Sequence, residues 1–152
     1  MPPTRSHGSR RRSEAAARIG RPQALRELAA QHAALRALIA RCQDLADELD
    51  AGRIEAAPLV DAVGALRRAF DAHNQFEEQL LRPVLLSTGR LGAVQIGRMA
   101  HDHTEAHRAM RRGLEPTASS PLRDVLDSLC AHLDAEDRYF AIPDGAPGDA
   151  AR

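Results

Sequence analysis

The sequence predicts an all-α, up-down-up-down four-helix bundle. Three observations carry that prediction: four stretches with apolar residues at three- and four-residue spacing, a core vocabulary of Leu, Ala, Val, Ile and Met, and no strand-like alternation. A chain of 152 residues suits one domain with its own core and is short for two. Apolar residues make up 43%, yet Trp is absent, Tyr occurs once and Phe three times, so aliphatic side chains must fill the interior, which favours helix over strand.

The first 21 residues are polar, hold Pro2, Pro3, Gly8 and Gly20, and show no apolar period. They read as a disordered basic tail with a local excess of five positive charges, leaving minus five on the rest of a chain whose net charge is zero. The bundle is expected over residues 22–143. Its first helix carries Leu25, Leu28, Leu35, Ile39, Cys42, Leu45 and Leu49 on one face and ends at Ala51-Gly52. The second opens with Pro58 in its first turn and carries Val63, Leu66, Phe70, Leu80 and Val84, with Pro83 and Gly89 bending or ending it. The third follows Gly92, shows Ile96, Met99, Met110 and Leu114, and stops at Gly113 to Pro116. The fourth starts with Ser120 as N-cap and Pro121 at the first helical position, then Leu122, Val125, Leu129 and Tyr139 up to Pro143. Residues 144–152 form a second disordered tail.

Composition also narrows the function classes. No run approaches the roughly 18 to 20 apolar residues that cross a bilayer, and no apolar stretch follows the N-terminal arginines, so neither a membrane span nor a secretory signal is expected. A basic tail attracts nucleic acid or anionic membranes, but no basic, aromatic-studded domain stands behind it, so neither partner is expected. Cys42 and Cys130 form no CxxC or CxxCH pattern and read as small core residues, not as a redox pair, a thiolate zinc site or a haem attachment. A cytoplasmic location follows as the expectation.

The informative positions are polar ones lying on the apolar stripes, because burying such groups costs free energy unless something satisfies them. His32 sits between Leu28 and Leu35. The second helix reads Phe70, His73, Glu77, Leu80; the third reads Met99, His103, His107, Met110; the fourth reads Leu129, His132, Glu136 and then Tyr139 or Phe140. Taken singly, His32 reads as a core histidine bonded to a carbonyl, and each i, i+4 pair as a surface pair. Taken together, five histidines and two carboxylates fall in register with four stripes. Pairs at i and i+4 converge on one point, and coordination of a metal ion supplies the free energy that offsets their desolvation. Helical geometry turns His101 about 200° from its neighbours and so to solvent, and makes Glu78 a peripheral or surface residue. Asp137 competes with Glu136, but five residues from His132 is about 140° away, which favours Glu136.

The ordered set Gln31-His32, His73-Asn-Gln-Phe-Glu77, His103-Thr-Glu-Ala-His107 and His132-Leu-Asp-Ala-Glu136 resembles the hemerythrin or HHE cation-binding family, over about residues 22–143. The resemblance implies a hemerythrin-like bundle holding two iron ions, with His32, His73, His103, His107 and His132 as imidazole ligands, Glu77 and Glu136 as bridges, and an oxo or hydroxo group between the ions. Such a set fills all but one of the positions on two octahedral ions, which leaves a place for dioxygen. One departure from the family pattern concerns the fourth helix: oxygen carriers end in HxxxxD and many bacterial relatives in HxxxE, and this chain offers both through Glu136 and Asp137. Some relatives also lack the second histidine of the third helix, here His107.

The expected function is oxygen binding, storage, or oxygen or iron sensing, with dioxygen or another small oxidant as ligand and any protein partner unidentified. The alternatives are an enzyme acting on peroxide or nitric oxide at the same site, or a metal-binding structural bundle. The absence of a substrate pocket motif or Gly-rich cofactor loop favours binding over turnover. A ferritin-like carboxylate site needs ExxH pairs, and none occurs.

Overall fold

The computed structural model describes residues 20–83, 93–115 and 121–140. The expectations for residues 1–19 and 144–152 and for Val84, Gly89, Gly92, Pro116, Ser120 and Pro143 lie outside those residues, and those for Leu80, Ile96, Met99 and Tyr139 fall on side chains outside them, whereas Arg21, the last residue of the expected N-terminal tail, is the first of a helix. Among the described residues there are four α-helices: α1 (Arg21–Asp50), α2 (Ala57–Phe76), α3 (Ala93–Gly113) and α4 (Leu122–Phe140). Among the described residues there is no strand.

Local chemistry sets the ends. Pro22 and Pro58 stand in the first turns of α1 and α2, where a missing N–H costs nothing. Helix α1 stops because Gly52 takes φ 68°, a left-handed conformation open to glycine, and the Gly52 and Arg53 amides then donate to the Leu49 and Glu48 carbonyls at 2.9 Å each. Pro121 lies one residue before α4, where its carbonyl accepts the Val125 amide at 3.4 Å. It therefore occupies the cap, not the first helical position expected from sequence, an offset of one residue.

Helix α2 runs on into a π-turn over Glu77–Leu81, in which the Arg82 amide donates to the Glu77 carbonyl. Such wide turns inside helices concentrate at functional sites. The turn buries Glu77 at its start and Leu81 at its end.

Helix α1 packs on α2 and α4, and α3 packs on the same two. Arg123 at the start of α4 pairs with Asp47 and Asp50 at the end of α1, 2.7 Å in each case, so these neighbours run antiparallel. The larger apolar cluster joins Leu35, Ile39, Cys42, Leu66, Phe70, Met110, Leu126, Leu129 and Leu133. A second gathers Ala24, Leu28 and Leu81 with Phe76 and Phe140 packed against it. Cys42 is the small core residue expected, and Cys130, partly buried, packs on the same cluster. Where α3 meets α4 the Val125 side chain lies so close to Gly113 that a Cβ there would stand 2.7 Å from Val125 Cγ2. That approach admits glycine and nothing larger without movement.

Candidate metal centre

Between the two apolar clusters lies a layer of buried polar groups. His32, on α1, interrupts the run from Leu28 to Leu35; His73 and Glu77 interrupt that from Phe70 to Leu81; His107 precedes Met110; Glu136 follows Leu133. His32, His73 and Glu136 are each 1% exposed, Glu77 and His107 are 6%, and the His103 and His132 side chains reach 26% and 12%. Five of the seven residues picked out from the stripes are thus fully interior. Phe70 holds two of the rings in place, with centroids 6.2 Å from His73 and 5.4 Å from His107.

Glu136 stands at the centre of this layer and divides it. Its Oε1 faces the Nε2 atoms of His103, His132 and His107 at 2.6, 2.7 and 3.6 Å. Its Oε2 faces those of His32 and His73 at 3.0 and 3.4 Å. Glu77 Oε2 spans the same divide, 3.9 Å from His73 Nε2, 3.8 Å from His103 Nε2 and 3.5 Å from His107 Nε2. Two overlapping quartets have the compactness of a metal site: His103, His107, His132 and Glu136, and His73, Glu77, His107 and Glu136, with donor atoms within 4.8 Å of one another. His32 belongs to neither and joins the layer through Glu136 Oε2.

The inward atoms are poorly matched to one another, which is the test of whether a cation fits. The Nε2 atoms of His32, His73 and His103 and both oxygens of Glu77 and Glu136 are buried without a hydrogen-bond partner. Their separations are those of charge contacts, but their angles are not those of hydrogen bonds. His107 Nε2 and His132 Nε2 confront each other at 2.7 Å, two nitrogens that need a shared proton or a cation between them. A buried group left this way costs about 1–3 kcal/mol, and more when charged, so a layer of them fits a cation far better than an apolar core.

Electrostatics separates the two carboxylates. Burial, reinforced by the charge of Glu136, pushes the Glu77 carboxyl up to about 8. Burial acts the same way on Glu136, but His103, His107, His132 and His32 around it hold its carboxyl far below the usual range. Burial lowers His73 and His107. It opposes charge on His32 and His103 too, but Glu136, helped by Asp137 at His32 and by Glu77 at His103, raises both.

Residues beyond the seven shape the layer. Gln31 Oε1 accepts from His73 Nδ1 at 3.3 Å, and its own Nε2 donates to Glu27 Oε1 at 3.0 Å, which fixes the orientation of the amide. Asp137, the competitor to Glu136, is 46% exposed and turns to the outer nitrogen of His32, at 2.6 Å. Glu136 is therefore the inward carboxylate of α4. His101 and Glu78 are exposed, as helical geometry requires.

The fold and this layer define a helical bundle built to bind cations. The family model of the hemerythrin HHE cation binding domain matches residues 23–142, and the chain belongs to that family. No curated protein and no solved structure matches the chain.

Proposed function

We propose that His32, His73, Glu77, His103, His107, His132 and Glu136 hold two iron ions and that the chain binds dioxygen, as a store or a sensor. The observation that carries this reading is the division at Glu136, with three imidazoles on Oε1 and two on Oε2. A single ion of four or six positions would use at most part of that set, whereas two ions would use all of it. A reduced iron pair supplies two electrons to a small oxidant such as dioxygen.

The chain's own residues supply the setting. Phe70 and the leucines of the larger cluster keep bulk water from one side of the layer, which strengthens each charge contact within it. Gln31 and Asp137 hold the outer nitrogens of two imidazoles, so the inner nitrogens face the centre. The two thiols, both free, support a cytoplasmic, reducing location. No helix of the described residues is long and apolar enough to cross a membrane.

The test is iron quantification of the purified chain together with absorption spectra of the reduced protein before and after oxygen is admitted. Two irons per chain and a persistent oxygen-dependent band support the reading. Rapid, irreversible oxidation transfers the function to turnover of peroxide or nitric oxide, and a chain purified without bound metal sinks it.

A further inference from the structure

The consecutive carboxylates of α4 take opposite ends of one imidazole. Glu136 Oε2 faces His32 Nε2 at 3.0 Å without hydrogen-bond geometry, while Asp137 Oδ1 lies 2.6 Å from His32 Nδ1 in a hydrogen bond. An ionised carboxylate only accepts, so the proton of that bond sits on Nδ1. In the neutral ring Nε2 is then the nitrogen whose lone pair is left for the centre of the bundle.

We propose that Asp137 is the positioning residue for His32: it fixes the tautomer and ring orientation that turn Nε2 toward the metal centre, and Arg36 braces it from α1. The inference rests on the metal reading above. Arg36 stands one turn after His32, and its Nη2 donates to Asp137 Oδ2 at 2.9 Å and to Asp134 Oδ1 at 2.7 Å. The four side chains form a ladder across the α1–α4 contact: His32 and Arg36 on one rail, Asp134 and Asp137 on the other. Exposed pairs such as Arg36–Asp134 contribute little to stability, so the ladder's weight falls on geometry. Asp137 cannot itself reach inward, because neighbouring residues project about 100° apart on a helix and Glu136 already holds the inward direction. This explains why the chain carries both carboxylates: each serves a different nitrogen of His32.

The test uses the full chain, titrated anaerobically with Fe(II) against a chromogenic chelator, and loaded with Zn(II) as a diamagnetic probe for nitrogen-15 spectra. Asp137→Ala is expected to weaken Fe(II) binding about 10- to 100-fold; Asp137→Asn, whose amide oxygen accepts the same bond while its NH2 meets the Arg36 donor, loses less than Asp137→Ala, and Asp134→Ala, which spares both contacts of Asp137, stays within about threefold of wild type. In the zinc-loaded wild type His32 is expected to keep a slowly exchanging proton on Nδ1 with the metal on Nε2. The proposal is overturned by wild-type affinity in Asp137→Ala, by an Asp137→Asn or Asp134→Ala loss as large as that of Asp137→Ala, or by metal on Nδ1 of His32. If Asp137→Ala does not fold, the other two variants and the wild-type spectrum decide. A wild type that binds neither metal removes the metal reading and this one with it, whereas two bound irons with an indifferent Asp137 remove this one alone.

Discussion

Glu77→Gln isolates the cost of burying a second carboxyl beside Glu136. In the metal-free chain the Glu77 carboxyl, 6% exposed, keeps its proton up to about pH 8, against an ordinary value of 4.5. The sign follows from proton counting. Between those two pH values the folded chain binds more protons at this site than the unfolded chain, so stability falls as pH rises through the window and levels off above it. At ~1.4 kcal/mol per pH unit the whole window amounts to about 4–5 kcal/mol, of which about 3 falls between pH 5.5 and pH 8, a large share of a small domain's total. Gln cannot ionise, so the variant does not suffer this loss. Chelator-treated wild type and variant, unfolded in guanidinium at pH 5.5 and at pH 8, give the comparison. Wild type is expected to lose most of that amount between the two conditions and Glu77→Gln less than half of it, so the variant is the more stable at pH 8 and yet binds metal more weakly. A variant as pH-dependent as wild type, or less stable at pH 8, would refute the argument that Glu77 is buried at a cost for the sake of the site.

Three other outcomes follow. His73→Ala is expected to lose most of its bound iron by elemental analysis while His101→Ala, altered at an exposed position, retains it; equal content in the two sinks the site assignment. Gly113→Ala places a methyl 2.7 Å from Val125 Cγ2 and should cost about 1–3 kcal/mol in denaturant unfolding, with Val125→Ala in the same chain recovering part of it; a neutral Gly113→Ala shows that the helices separate freely. Restoring metal at 100 times its dissociation constant should stabilise the chelator-treated chain by about 2.7 kcal/mol for each ion bound, seen as a raised Tm, and an unmoved Tm means that the ions do not bind the folded form preferentially.

Much of this molecule was legible in its sequence because helical period is a local property. The stripe through Leu28, His32 and Leu35 needs no knowledge of α4 to be recognised, and the same is true of Phe70, His73 and Glu77. Local periodicity does not report how wide a buried face is. Leu126 and Leu133, both 0% exposed, lie beside the narrow stripe of Leu122, Val125 and Leu129, because α4 is covered by both α1 and α3. Small core residues such as Ala24 and Ala62 escaped for a related reason, since alanine is as common on a surface as in a core. The partnership of Asp137 with His32 joins residues 105 positions apart, and no helical angle measured on α4 alone predicts it. The Gln31 bond to His73 is likewise a contact between helices, although Gln31 stands directly before a residue that the motifs had singled out.

The π-turn at Glu77–Leu81 has a consequence for anyone transplanting this site. Up to Phe76 the helix advances about 100° per residue; across the wide turn it advances less, so after five residues the chain lags an ideal α-helix by about a quarter turn. Grafting His73 and Glu77 onto a regular helix would keep the two ligands in place and still rotate everything beyond them, taking Leu81 off the seat it shares with Ala24 and Leu28. The portable unit is therefore not the HxxxE motif but the motif together with the turn that follows it.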